Sequence, residues 1–229
     1  MSTVATPISL ALAEREAEIF RALFPGCWVF WSVAGSVRRK KAVVGDIEHV
    51  VIPQAGVVPD AASAPMGNLF DLAASEAGHR PVKVRAVENL MRERIHALVE
   101  DRRSGLTLHA YGKKGLTRNG EKYIGLDFRD RLHEVFFAER DTLGLILAIR
   151  TGPGEFSQDL VVRLRRNRYR AKDGKLWRQV SYPVGTTQKA PGWLDEKDGA
   201  VWQVVPAPDE ATVFRAAGYG AVIDPALRA

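Results

Sequence analysis

Apolar side chains recur in two rhythms along this chain, and the change from one to the other marks out its elements. Ala, Leu and Glu dominate the first stretch, with Ile19, Phe20, Leu23 and Phe24 at helical spacing. Pro7 before it and Pro25-Gly26 after it predict a helix from Ile8 to Phe24. Cys27 to Ala34 is a continuous apolar run of the length of a buried strand. A second such run, Asp46 to Pro53, carries two acids near its start. Side chains alternate across a strand, so Asp46 and Glu48 share one face and Ile47 takes the other. From Gln54 to Pro81 a mixture of Pro, Ala, Ser and Gly predicts a surface excursion with a short helix over Asn68 to Ser75. Helical spacing returns with Val84, Val87, Leu90, Met91, Ile95, Leu98 and Val99, which predicts one covering helix from Val82 to Arg103.

The second half opens with strands. Thr107 to Lys114 and Glu121 to Phe128 read as a pair, joined by a loop containing the turn-forming Asn119-Gly120. In a third strand, Arg131 to Ala138, the residues Leu132, Glu134 and Phe136 alternate with His133, Val135 and Phe137. An acid simply buried there would be costly. It is accounted for if Glu134 faces Asp46 and Glu48. Asp141 to Arg150 is expected to be a helix ending at a Thr151-Gly152 turn, followed by a helix from Glu155 to Arg166. Tyr169 to Arg178 predicts a hairpin about Asp173-Gly174, with a further turn at Asp198-Gly199. A last short helix spans Asp209 to Ala217, stopped by Gly218. The implied class is α/β (α+β), a mixed β-sheet with flanking helices followed by a smaller C-terminal subdomain.

Composition narrows the setting. With 46% apolar and 26% charged residues, the chain is an ordinary globular one rather than disordered or fibrous. Its net charge of +6 is unevenly spread: residues 161–178 hold eight Lys or Arg against the single acid Asp173. Arg163, Arg165, Arg166, Arg168 and Arg170 in that stretch suit either a polyanionic partner or a solvated face. One cysteine, Cys27, excludes an internal disulfide framework. No secretory signal and no run of about 20 apolar residues is visible, so a cytoplasmic protein without membrane association is expected. The five histidines show no close metal-ligand spacing.

The candidate chemistry lies between the first two strands. Gly35-Ser36 is followed by Arg38, Arg39, Lys40 and Lys41, and then by Gly45-Asp46-Ile47-Glu48. Backbone N–H groups at the start of a helix favour an anion. Paired carboxylates repel each other unless a cation intervenes, and hard oxygen ligands suit Mg²⁺. Gly-Ser-x-Arg-Arg, five residues, then Gly-Asp-x-Glu resembles the nucleotidyltransferase signature of the family X DNA polymerases, the group of DNA polymerase beta. A second match, counted back from Thr151-Gly152 and with Phe156 following, sets Glu134 where that family has its third acid. Together the two cover residues 25–166, most of the chain.

The resemblance implies a nucleotidyltransferase palm over residues 1–150 and a thumb-like subdomain over 151–229, in the manner of the short phage or bacterial members. Only 34 residues precede Gly35, which leaves no room for the lyase and helix-hairpin-helix modules of larger members. It further implies Asp46, Glu48 and Glu134 as catalytic residues and ligands of Mg²⁺, or of Mn²⁺, in a two-metal mechanism. Gly35, Ser36, Arg39, Gly45, Thr151 and Gly152 would then hold the dNTP, with Arg38 packed outward. The activity implied is addition of nucleotides to the 3′-hydroxyl of a DNA primer or gapped duplex, as in repair, with release of pyrophosphate. Two alternatives stand beside it: the same transfer to an RNA, protein or small-molecule acceptor, and a catalytically impaired nucleic-acid-binding relative. The chain departs from the family at three places. Two of the three acids are glutamates rather than aspartates, Leu132 stands where an arginine is usual, and Ile149-Arg150 replaces the common Tyr-Phe.

Overall fold

The computed structural model describes residues 6–59, 84–111, 115–181, 193–195 (backbone only) and 200–228. The predicted short helix over Asn68 to Ser75, Lys113 and Lys114 at the end of a predicted strand, and the turn at Asp198-Gly199 lie outside the described residues.

The first described element is a two-residue strand, β1 (Ile8–Ser9), and not a helix from Ile8; Ser9 then caps α1 (Leu10–Arg21) by accepting from Leu12 N. The apolar runs on either side of the Gly-Ser segment form β2 (Trp28–Val33) and β4 (Ile47–Pro53), with the four-residue helix α2 (Gly35–Arg38) and β3 (Val43–Val44) between them. β1 is a strand because it pairs with β3, Ile8 opposite Val44.

The stretch from Gln54 differs from expectation. Gly56–Pro59 (β5) pairs antiparallel with Val84–Val87 (β6), so the predicted helix from Val82 begins only at α3 (Leu90–Glu100). The reason is local. Val84 and Val87 favour a strand once a partner is present, and Asn89 accepts from Arg92 N and starts the helix after them.

β7 (Leu106–Leu108) and the short pair β8 (Ala110–Tyr111) and β9 (Leu116–Thr117) precede β10 (Tyr123–Phe128) and β11 (Arg131–Phe137). The last two are joined by Arg129-Asp130, both at positive φ (52° and 59°), the geometry of a type I′ hairpin turn.

These strands make one five-stranded mixed sheet in the order β2-β4-β11-β10-β7, in which only β4 and β11 run parallel. α1 and α3 cover one face, where Phe20, Phe24, Met91 and Ile95 meet Val51, Ile124, Leu126, Val135 and Phe137. On the other face Val50 and Phe136 pack against Leu147 of α4 (Leu143–Thr151).

Beyond α4 come α5 (Gly154–Arg166), the hairpin β12 (Tyr169–Lys172) and β13 (Lys175–Val180), β14 (Trp193–Asp195), β15 (Val201–Val205) and α6 (Glu210–Ala216). Asp173 and Gly174 turn the hairpin at positive φ, as expected. The second sheet, β12-β13-β15-β14, is antiparallel. Its core gathers Leu160, Leu164, Leu176, Val213 and Phe214 around Leu145 and Ala148, so α4 packs against both sheets. The protein is thus mixed α/β, with a mixed sheet and six α-helices among the described residues. No helix among them is long and apolar enough to cross a membrane.

Candidate active site

The parallel pairing of β4 with β11 sets the site. Glu48 and Glu134 are register partners across it, so their side chains leave the sheet on one face. Asp46 stands immediately before β4 and is solvent-exposed, while Ile47 is fully buried. Glu48 and Glu134 are half-buried. Among the described residues, no three or more His, Cys, Asp or Glu side chains converge closely enough to hold one ion. The acids form a strip rather than a closed cage.

They nevertheless act on one another. Desolvation, then Asp46, then Glu134, push the Glu48 carboxyl up to about 8, against the opposing pull of Arg150 and Arg39. Asp46 is also raised, first by desolvation and then by Glu134. Open residue surface and a desolvated carboxyl are compatible here, because exposure is averaged over the residue and the carboxyl is only its tip. Asp46 and Glu48, whose charged forms are disfavoured by burial and by a neighbouring acid, are carboxylates whose ionisation an added cation would favour.

Gly35 lies against this strip at φ +54°, a left-handed conformation that glycine adopts without strain. A Cβ at that position would overlap the carboxylate of Glu48. A side chain at this position would thus have to displace the carboxylate of Glu48, 13 residues on in sequence, besides adopting a strained φ.

In α2 and at its end, two polar side-chain atoms are buried without a partner, Ser36 Oγ and Arg39 Nε. Buried polar atoms are usually bonded, so this pair is suited to accept an anionic ligand. Arg39 Nη1 donates to the carbonyl of Thr151 at 2.5 Å, and its charge is felt by both Glu48 and Asp46. The structure therefore brings Gly35, Ser36, Arg39 and Thr151 to the acidic strip. Gly152 caps the end of α4, and Gly45 is an exposed bend with open space about its Cα.

Arg38 overturns its expected placement. It points inward, donating from Nη1 to Thr151 Oγ1 at 2.7 Å and gripping Glu210 with two bonds of 2.9 and 2.6 Å. Arg228, fully buried, holds the same carboxylate at 2.7 Å. A bidentate arginine–carboxylate pair fixes orientation as well as charge, and here it turns Arg38 away from solvent.

Sequence reasoning missed further contributors. Tyr111 and Tyr123 both hydrogen-bond Glu134 Oε1. Desolvation raises both phenols, Tyr111 up to about 12, so they remain donors at neutral pH. The visible signal was Gly125 opposite Glu134, a gap in a strand that invites another side chain over it. Arg150 lies 3.9 Å from the centroid of the Phe136 ring and opposes the raised pKa of Glu48.

No family model matches the chain, and no curated protein matches it, so the chemistry of the site rests on its own residues.

Proposed function

We propose that the protein is a Mg²⁺-dependent nucleotidyltransferase that adds nucleotides from dNTPs to a DNA 3′-hydroxyl, built on a palm-like sheet with a thumb-like C-terminal part. The observation carrying this reading is the pairing of Glu48 with Glu134 across parallel strands, beside unpartnered Ser36 Oγ and Arg39 Nε. Acids that favour a cation thus adjoin donors that favour an anion, the two needs of a nucleoside triphosphate with its metal. When bound, Mg²⁺ would supply charge neutralisation at the transferring phosphoryl group, and Glu48 and Glu134, paired across β4 and β11, with Asp46 beside them, are the residues that would have to close on it.

The protein's own contribution is positioning. Ser36 and Arg39 bind the triphosphate, and Thr151 fixes Arg39 through its carbonyl. The 3′-hydroxyl oxygen bonds to the α-phosphorus, the bond to the pyrophosphate oxygen breaks, and the hydroxyl proton leaves to water. Exposed Arg165, Arg166, Arg168, Lys175 and Arg178, on α5 and the β12–β13 hairpin, favour a nucleic-acid acceptor over a small one.

Extension of a labelled primer, with and without template, in Mg²⁺ or Mn²⁺, with dNTPs and rNTPs side by side, tests this. Incorporation of dNTPs is expected, falling about 100-fold or more in Asp46→Asn. Incorporation indifferent to Asp46→Asn overturns the site. DNA binding without incorporation in either metal overturns the activity.

A further inference from the structure

The second sheet has two faces of different make. On one, Ala171 of β12, Leu176 of β13 and Val205 of β15 pack into the core closed by α4, α5 and α6. Alternation along each strand puts Arg170, Lys172, Lys175, Trp177 and Trp202 on the other. None of these five joins a hydrophobic core among the described residues. Lys172 and Lys175 are exposed, while Arg170 and the two tryptophans are half-buried.

Register orders this face into rows. Lys172 stands opposite Lys175 beside the turn, Arg170 opposite Trp177 in the next row, and Gln179 opposite Trp202 in the row after that. Trp177 itself pairs with Val204, so the two tryptophans are diagonal neighbours across β13 and β15. Such neighbours lie about 7–8 Å apart, a span that one nucleotide of an extended strand bridges. Each indole is also anchored. The Arg170 guanidinium lies 4.3 Å from the centroid of the Trp202 ring, and Trp177 Nε1 donates to the carbonyl of Lys172 at 3.1 Å. Three cations and no acid occupy the strand positions of this face among the described residues. Lysines attract phosphates, and flat apolar rings attract other flat rings. An acidic peptide would satisfy only the lysines, and a duplex keeps its own ring faces stacked inside. Unpaired bases on a phosphate backbone satisfy both.

Resting on the nucleotidyl-transfer reading for the kind of strand, we propose that this face of the second sheet binds single-stranded DNA, with bases stacked on Trp177 and Trp202 and phosphates on Lys172 and Lys175. Every base has a face to stack, so the surface holds an unpaired strand without reading its sequence.

Binding of a dye-labelled oligo(dT) of about 12 nucleotides to the full chain, read by fluorescence anisotropy in EDTA, needs neither metal nor turnover. The wild type should bind it. Trp177→Leu and Trp202→Leu should each bind about 10-fold more weakly, with unchanged far-ultraviolet circular dichroism. Trp177→Phe, which keeps an aromatic face, should recover most of the affinity, whereas a role in packing alone would not separate Phe from Leu. If the leucine variants do not fold, Lys172→Gln with Lys175→Gln, both at exposed positions, decides: the slope of log affinity against log salt should become shallower by about 1–2. Wild-type affinity in folded Trp177→Leu and Trp202→Leu overturns the proposal, and so does an unchanged salt slope in the lysine pair. Absence of oligo(dT) binding by the wild type at low salt overturns it too. Tighter binding of a duplex, or of oligo(U), of the same length overturns the assignment to single-stranded DNA. Loss of oligo(dT) binding in the tryptophan variants of a chain that incorporates no nucleotide supports the face and defeats only the assigned reaction.

Discussion

Glu48 shows what a crowded acidic strip costs at a single residue. Its carboxyl is crowded by Asp46 and Glu134 on one side and abuts Gly35 on the other, and its pKa rises to about 8. A folded-state value above the unfolded one means that the folded protein binds this proton more tightly. The stability contributed is complete below the ordinary value of 4.5 and is lost as pH rises through about 8. Glu48→Gln cannot ionise. It should therefore melt above the wild type at pH 8.5, by roughly 5 °C or more, and converge with it near pH 5. Circular dichroism melts at the two pH values measure this, and equal melting temperatures at pH 8.5 would contradict the crowding. The Gly35 contact beside this carboxyl was not legible in the sequence. Gly-Ser announced a turn, but that the glycine makes room for Glu48 depends on β2 and β4 being neighbours.

At the scale of elements, β4 and β11 carry acids on one face and a histidine pair on the other. His49 and His133 are buried against Phe20 of α1, their rings 4.9 and 4.2 Å from it, with Nε2 of one 3.1 Å from Nδ1 of the other. Burial lowers both, His133 down to about 3. The unfolded chain then binds protons that the folded one refuses, so stability falls as pH drops from 6.5 toward 3. Glu48 titrates with the opposite sign over part of that window, so the measurement belongs in the Glu48→Gln background. Urea unfolding there should lose roughly 2–4 kcal/mol between pH 7 and 5, and a flat profile would refute the buried pair. The histidine face follows from the same alternation that placed Glu134 beside Glu48, and that much was readable from residues 46–53 and 131–138. The hairpin at Asp173-Gly174 was readable for the same reason, since its turn chemistry is local. Val84–Val87 was not. Its spacing fits a helix, and only the Gly56–Pro59 partner makes it a strand. Arg129-Asp130 likewise turns a hairpin without the usual Asn-Gly signature, because the pairing of β10 with β11 imposes the positive φ angles.

Across the whole molecule, the two sheets are joined by a charge chain that spans the sequence and has no local signature. Arg38, next to the acidic strip, and Arg228, near the end of the chain, converge on Glu210 at the start of α6. Arg228 also donates to the carbonyl of Ile223 from Nε and Nη2, at 3.0 and 2.8 Å. Burial alone would raise the pKa of Glu210, but the hydrogen bonds from both arginines hold it below the ordinary range. Main-chain bonds run alongside, Gly144 N to Ala207 O at 2.8 Å and Ala207 N to Asp141 O at 2.7 Å, so α4 is tied to the segment entering α6. Removing one member of such a cluster strands the rest: Glu210→Ala leaves a fully buried guanidinium and a second one partly covered, both without their anion. Denaturant unfolding should register a loss of about 3–5 kcal/mol. Replacing all three charges together, with Arg38→Met, Glu210→Leu and Arg228→Leu, should recover most of that loss, because no charge is then left unpaired. Recovered stability need not bring recovered turnover. Arg38 also donates to Thr151 Oγ1, and Thr151 is the residue whose carbonyl holds Arg39 beside the acids. If the cluster exists to seat that arginine, the triple variant folds and incorporates slowly; if it is purely structural, incorporation returns with the fold.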